Sequence, residues 1–428
     1  MSANTSTDRP TFGDRALQKQ IARLRRVDNA TNLGYLALEY LSLAAVIGGA
    51  IVFVESRGGW GLPWIWNVPI MTLAILLVGG LQHRLAGLGH EAAHYTLLRN
   101  KTLNDLVGDW LCMFPIFGTL HFYRLSHLAH HQFTNHPGRD PNVLNTGDGK
   151  GIDNFPMPRG KFILTQYLRP IVAPRSFLRY LFDYARMNGL GLGMGQNVYV
   201  RQFAKQPGQA MGRRPRLALG LGISYLVGFI GLQWVLTTMD RSLWLIPAGV
   251  IGLVVATGVA ALLPDRAYFQ SPFRQPYSDR VAGVCRLAFF TAILVVLGLL
   301  RTATSGQSTT YFFLLWVVPG MTSFNLFLML RDVYQHANAD EGRLTNTRIF
   351  YCDPLTRWAV LMYGQDMHLP HHLFPAVPHY RLGLLHRILK HSHPGYAKQA
   401  VECHGTFFHN REKAPTILDT MAEPRTTS

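Results

Sequence analysis

The sequence predicts an all-α integral membrane protein of about six transmembrane helices in three hairpins, with a cytoplasmic helical cap that carries three histidine boxes. Long uncharged runs predict the spanning helices, and short links between successive runs predict the hairpins. Paired histidines just beyond the second and sixth runs predict the cap.

The apolar runs lie at about 33–54, 64–86, 216–239, 242–263, 283–300 and 311–330. Most are near 20 residues, which at ~1.5 Å per residue spans roughly the 30 Å of a hydrocarbon core. The fifth carries Arg286 near its start. The links within pairs are 55–63, 240–241 and 301–310, each short enough for a hairpin. Trp60, Trp64 and Trp66 cluster at the first turn, as an aromatic belt does. The chain divides into an N-terminal tail (1–32), a membrane body (33–400) and a C-terminal tail (401–428). Beyond about residue 410 its composition reads as disordered.

Mean hydropathy is only +0.09 because apolar runs are averaged with basic, histidine-rich connectors. The formal charge of +17 fits nucleic acid or an anionic membrane surface. Six spans make the membrane the simpler partner, and no nucleic acid is expected. Cys112, Cys285, Cys352 and Cys403 form no C-x-x-C, which argues against a zinc ribbon, a built-in rubredoxin and a disulfide framework. The polar first 32 residues lack the apolar core of a removable signal peptide, and Asp8 and Asp14 speak against a transit peptide.

Basic residues near the helix ends set the orientation. The outer links hold only Arg57, Arg241 and Arg301. The N-terminal tail holds Arg9, Arg15, Lys19, Arg23, Arg25 and Arg26, and the approach to the third span holds Arg201, Lys205, Arg213, Arg214 and Arg216. The 264–282 loop decides nothing. Both termini are therefore expected in the cytoplasm. The stretch 103–120, with Asp105, Asp109 and Pro115, reads as re-entrant or interfacial. Residues 161–186, where Arg169 and Arg179 mix with Phe162, Tyr167, Phe177 and Tyr180, suit a helix on an anionic leaflet or an ordinary solvated one. Glu39 and Arg84 lie within the inner ends of the first two spans, where unpaired charge is costly, so they are expected to pair.

Of 18 histidines, three groups stand out. His90-Glu-Ala-Ala-His94 is an H-x-x-x-H; His127-Leu-Ala-His130-His131 and His368-Leu-Pro-His371-His372 are each H-x-x-H-H. Residues three and four apart share a helical face, so each group can aim two imidazoles at one point. Composition alone would give about 0.03 H-x-x-H-H matches in such a chain. Solvated basic helix faces are the bland alternative, and that match rate leaves them little room. Catalytic zinc uses about three protein ligands and structural zinc four, so eight histidines imply two metals. Soluble di-iron bundles use Glu and Glu-x-x-His, whereas Glu91 is the only carboxylate inside a box here. An all-imidazole set points to a redox metal such as iron.

Topology agrees: if 103–120 does not cross, six spans bring all three boxes to the cytoplasmic face, whereas a seventh would scatter them. His336, six residues past the sixth run, is by spacing either an interfacial residue or a ninth ligand. His83 lies roughly 10 Å along the helix from His90 and is expected to pack inside the bundle. His121, His136, His379, His386, His391, His393, His404 and His409 lack box spacing, and surface or supporting roles are expected for them.

These boxes resemble the membrane fatty acid desaturase superfamily, which includes carotenoid hydroxylases and ketolases. The likeness covers about residues 30 to 395. It is strongest in Tyr123-Arg-Leu-Ser-His127-Leu-Ala-His130-His131-Gln-Phe-Thr-Asn135 with Arg139-Asp140-Pro141, and in His368-Leu-Pro-His371-His372-Leu-Phe-Pro375-Ala-Val-Pro378 with Leu385-His386. Arg331-Asp-Val-Tyr-Gln-His336 and Thr347-Arg348 look like the approach to the third box in bacterial members, and the resemblance implies that His336 is a ligand. It further implies two non-haem irons, molecular oxygen as co-substrate, a lipid acyl substrate, and electrons from a ferredoxin or a small b-type cytochrome with its reductase. A bacterial inner membrane is the expected location. Two departures stand out. Gly364, with Gln365 beside it, occupies a position that is often Asn. The third box opens with His368, where fused-haem members usually have Gln, and the fused haem domain is absent.

An unactivated methylene has no acidic proton for a side-chain base, so oxidising power must come from metals and oxygen. Loss of two vicinal hydrogens gives an alkene, and rebound of oxygen gives an alcohol; the boxes do not distinguish them. Three features favour an alkene in a long acyl chain. The H-x-x-x-H spacing of the first box is that of acyl-lipid desaturases, the Thr134-Asn135 to Asp140-Pro141 extension resembles those members, and the site suits a bilayer-resident, flexible substrate. A hydroxylase or ketolase of a carotenoid or other lipid is the rival enzyme. A metal carrier or zinc-dependent receptor is the rival from another class. The central spans hold little beyond Gln233 and Asn325, which disfavours transport.

Overall fold

The structure is a computed structural model that describes residues 12–145, 155–172, 175, 178–179, 182, 186, 189–192, 197–204, 216–269, 271–412 and 414–423. Asp8, Arg9, Lys205, Arg213 and Arg214, with Phe177 and Tyr180 of the amphipathic stretch, lie outside the described residues.

Six helices among the described residues are long and apolar enough to cross a membrane: Ala30–Ser56, Trp64–Ala93, Leu217–Thr238, Ser242–Leu262, Asp279–Ala303 and Gln307–His336. Their outward faces are apolar, with Leu41, Val254 and Leu262 all largely exposed, a pattern that suits lipid rather than water. The second and sixth helices outrun their apolar sequences and continue as helix to Ala93 and His336. Metal-type residues therefore stand on the same rigid elements that cross the bilayer.

In chain order the elements that matter are α1 (Arg15–Leu24), α2 (Ala30–Ser56), α3 (Asn67–Ala93), α4 (Lys101–Gly108), α5 (Leu120–Gln132), α6 (Arg216–Thr238), α7 (Leu245–Leu262), α8 (Asp279–Ala303), α9 (Gln307–Phe312) and α10 (Ser323–His336). They are followed by α11 (Pro354–Ala359), α12 (His368–Leu373), α13 (Leu382–Ser392) and α14 (Ile417–Ala422). Helix α3 packs along both α2 and α10, while α6 and α7 pack against α8. The spans thus pack as two groups of three. The chain turns from α8 into α9 at Ser305 and Gly306, both with positive φ. A wide helical turn at Phe313–Val317 and Pro319 then interrupt the sixth span, since proline removes an amide donor. Beyond the break, α10 lies along α3.

The expected Glu39–Arg84 pair is present. Arg84 Nη2 lies 2.8 Å from Glu39 Oε1, and Glu39 is almost fully buried. The Tyr363 hydroxyl also donates to Glu39, and the guanidinium sits 4.7 Å from the Tyr363 ring. The pair ties α2 and α3 to the segment leading into the third box. Glu39→Gln should lower the thermal midpoint of the purified protein, consistent with roughly 1.5–3 kcal/mol for a hydrogen bond to a charged group. An unchanged midpoint would show the pair to be idle.

The 103–120 stretch goes out and comes back. Helix α4 is followed by a wide turn at Asp109–Met113 and a 3-10 turn at Phe114–Ile116, and Phe117 is left-handed. Asp109 accepts from the Leu120 amide at 2.8 Å, and Arg124 on the returning α5 reaches Asp105 on α4 with two hydrogen bonds. The acidic residues that argued against a span are the ones that fasten the return.

Two features differ from the sequence expectation. A two-stranded parallel sheet pairs Arg348–Tyr351 with Val401–His404, a minor addition to a helical fold. The chain beyond residue 410 is also not disordered throughout. Thr416 and Asp419 form a capping box at the start of α14, and Ile417, Leu418 and Met421 are buried with Phe350 and Cys403. Composition averaged over the polar tail hides this one amphipathic turn. At the other end, α1 buries Leu17, Ile21 and Leu24, spaced four and three apart, in a cluster with Leu382, Leu385 and Leu389 of α13.

Candidate metal centre

All nine histidines singled out by sequence and resemblance converge at the ends of α3 and α10. Their ring nitrogens form two clusters. In the first, His90 Nε2 is 2.9 Å from His371 Nε2, and His94 Nε2 is 2.8 Å from His127 Nε2. His131 Nε2 joins them, 2.9 Å from His127 and 3.1 Å from His371. In the second, His336 Nε2 is 3.0 Å from His368 Nε2 and 3.2 Å from His130 Nε2, and His372 Nε2 is 3.1 Å from His368 Nε2. The clusters abut, with the rings of His131 and His372 stacked 4.2 Å apart.

Helical geometry explains the sorting. The i, i+4 pairs His90/His94 and His127/His131 each aim at the first cluster, and His368/His372 aims at the second. The middle histidine of each H-x-x-H-H box, one residue off that face, crosses to the other cluster: His130 to the second, His371 to the first. Each adjacent His-His pair therefore serves both clusters, which is what holds the clusters side by side. His336, the last residue of α10, completes the second.

The clusters fit metal ions. Adjacent nitrogens at right angles around a metal, each about 2.1 Å from it, stand roughly 3.0 Å apart, and the observed separations run from 2.8 to 3.2 Å. Burial lowers the imidazole of His94 to about 3. Burial first, then neighbouring ionisable side chains, hold His127, His131, His368, His371 and His372 well below the usual histidine range. Neutral imidazoles have free lone pairs, as metal ligands require.

Outer hydrogen bonds fix the ring orientations. Asp140 places both carboxylate oxygens 3.0 Å from His130 Nδ1. The Tyr123 hydroxyl lies 3.1 Å from His90 Nδ1, Thr134 Oγ1 lies 3.2 Å from His372 Nδ1, and the Asn346 carbonyl lies 3.3 Å from His336 Nδ1. Among the described residues, the outer nitrogens of His131 and His368 are buried with no hydrogen-bond partner. Glu91 turns away from the imidazoles and accepts from Thr96 Oγ1 and the His379 amide. Sequence reasoning did not assign the orienting roles of Tyr123 and Asp140, although both lie in the motif that carried the resemblance. Asp140 sits ten residues beyond His130, past Asn135 in a left-handed conformation, and helical spacing cannot link the two. Asp140→Ala should weaken metal retention about 10–100-fold, read by metal content after dialysis against a graded chelator; wild-type retention would remove Asp140 from the site.

Two remaining expectations have structural outcomes. His83 is buried in the bundle, its Nδ1 2.7 Å from the Ala359 carbonyl. Gly364 has φ +71°, and a Cβ there would lie 2.8 Å from Leu382 and 3.0 Å from His379. A side chain at that position would crowd His379 and Leu382, and the neighbouring Gln365 accepts from Gln335 Nε2 at 2.9 Å.

The chain is similar along its length to known desaturases. The chain is 23% identical to the dihydrorhizobitoxine desaturase of Bradyrhizobium elkanii over 418 residues, 96% of this chain and 89% of that protein. It is 20% identical to an sn-1 oleoyl-lipid 12-desaturase of Synechocystis over 342 residues, 77% of this chain and 68% of the relative. A delta-12 fatty acid desaturase of Caenorhabditis elegans is 31% identical over 115 residues, about a quarter of each chain. The sequence model of the family described as fatty acid desaturase matches residues 63–270 and 254–407. With three histidine boxes inside that match and six apolar helices among the described residues, the chain belongs to the fatty acid desaturase family and is an integral membrane oxidoreductase of the desaturase type.

Proposed function

We propose that the protein uses molecular oxygen at a two-iron centre to introduce a double bond into a long fatty acyl chain. The observation that carries this reading is the convergence of nine buried or half-buried histidines into two adjoining clusters within a desaturase-family chain. His90, His94, His127, His131 and His371 would hold one iron, and His130, His336, His368 and His372 the other. When bound, the irons with oxygen supply the oxidising power that no side chain has. Oxygen takes up four electrons on becoming two waters. The two broken C–H bonds provide two, so two electrons and two protons come from outside. A ferredoxin, or a small b-type cytochrome with its reductase, suits that supply. Asp140, Tyr123 and Thr134 keep the imidazoles aimed, and the protein walls keep water from the reacting carbons.

The positive-inside pattern supports three hairpins with both termini and the histidine-bearing cap on the cytoplasmic side of a bacterial inner membrane. An acyl chain then enters from the cytoplasmic leaflet. The relative that aligns over nearly the whole chain is named for dihydrorhizobitoxine, and the others for fatty acids or oleoyl lipids. Such a non-lipid-named substrate is the second reading here, and a di-iron hydroxylase or ketolase is the third. Expression in a host making saturated and monounsaturated lipids, with oxygen and a competent reductase, separates them. Gas chromatography–mass spectrometry should show a new fatty acyl alkene that disappears with His127→Ala. A hydroxy acid, a change confined to carotenoids, or an unaltered acyl profile would overturn the choice of reaction or substrate.

A further inference from the structure

A cavity of about 710 Å³ lies away from the histidines, between α6, α7 and α8, and its walls are mostly apolar. None of the nine histidines lines it. Helix α5 stands between the two sites: Phe122 faces the cavity, while the adjacent Tyr123 bonds His90. The space exists because small residues line all three helices, among them Gly222, Gly252, Ala256 and Gly283. Along α8 the lining runs from Asp279 to Phe290, eleven residues or about 16 Å of helix. That is close to half a hydrocarbon core, one leaflet's depth. At the deep end the Tyr225 hydroxyl lies 3.0 Å from Thr291 Oγ1.

The shallow end is polar, and its charges do not all cancel. Asp279 is engaged by His121 Nδ1 at 3.0 Å. Arg280 pairs with Asp265 at 2.7 Å, but that aspartate is 87% exposed, so the pair is weak and exchangeable. Arg286 lies seven residues inside α8. Its guanidinium donates to the Gly189 carbonyl and sits 5.8 Å from the Phe290 ring. Among the described residues no carboxylate lies within 4.0 Å of it, and Asp109 acts on it only from farther away. Asp109 is already engaged by the Leu120 amide and the Tyr277 hydroxyl. A cation at this depth, beside an apolar shaft, is costly without an anion.

We propose that this cavity binds one acyl chain of an anionic phospholipid, with the lipid phosphate between Arg286 and Arg280. Arginine suits phosphate because its planar fork gives parallel hydrogen bonds. The shaft's one-leaflet depth suits a lipid drawn from the leaflet nearest the histidines. The bound chain cannot reach the metal clusters, because α5 intervenes. The site is therefore distinct from the one where chemistry occurs and does not depend on the di-iron reading.

The test is native mass spectrometry of the full-length protein released from nanodiscs of mixed phosphatidylglycerol and phosphatidylcholine. The wild type should keep one phosphatidylglycerol. Arg286→Gln should retain about tenfold less. Gly283→Leu should do the same by filling the shaft, since a Cβ there meets nothing within 4 Å and the variant has room to fold. Iron content should match the wild type in both, which separates failure of this site from failure of the metal centre. Equal retention by the variants, or no preference for phosphatidylglycerol over phosphatidylcholine or a co-purified free fatty acid, would overturn the proposal.

Discussion

His371→Ala is expected to abolish alkene formation and to lower bound iron from about two per chain toward one. His371 is the third box's only contribution to the first cluster, with Nε2 2.9 Å from His90 and 3.1 Å from His131. Its loss uncouples α12 from α3 and α5 at the point where the two clusters join. Changing an outer partner of a ligand costs 10–100-fold, so removal of the ligand itself should cost more than about 100-fold in product. Metal analysis with gas chromatography–mass spectrometry of the same anaerobic preparation reads both effects. Full product and two irons in this variant would remove His371 from the centre.

Arg124→Ala should be the most destabilising single change outside the histidines. Arg124 is nearly fully buried and makes two hydrogen bonds to Asp105, at 2.8 and 2.5 Å. It also donates to the carbonyls of Ala92 and Ala93 and stacks 4.1 Å over Tyr95. Through these contacts it clamps the end of α3, where His90 and His94 sit, to α5, where His127 and His131 sit. Removing one partner of a buried ion pair costs about 3–5 kcal/mol because the remaining charge is stranded. The thermal midpoint and the iron content should fall together. Arg124→Lys should rescue little, since an ammonium cannot reproduce the fork that grips Asp105 and two carbonyls at once. A wild-type midpoint for Arg124→Ala would refute the clamp.

The spanning helices and the box histidines were legible because both are local patterns. Twenty apolar residues state a span by themselves, and i, i+4 spacing states a shared helical face. The return of 103–120 was legible because Asp105 and Asp109 could not be left in lipid, and Glu39 and Arg84 were paired for the same reason. What was hidden depends on contacts between distant segments. Helical spacing turns His130 away from His131, but which cluster each one joins is settled only when the third box packs against them. Asp140 needs the left-handed turn at Asn135 to reach back to His130. The crowding that favours glycine at 364 comes from Leu382 at the start of α13 and from His379 in the turn just before it. The cavity needs small residues from α6, α7 and α8 side by side, and each helix alone reads only as an ordinary span. The capped turn at Thr416–Asp419 was hidden in a polar tail whose average composition outweighs six residues.

The central claim, two irons held by imidazoles alone, meets its most direct test in the metal content of anaerobically purified wild-type protein, counted by elemental analysis with iron-57 Mössbauer spectroscopy. About two irons per chain, with nitrogen-rich ligation at both, is the expected result. One zinc per chain with little iron would contradict it.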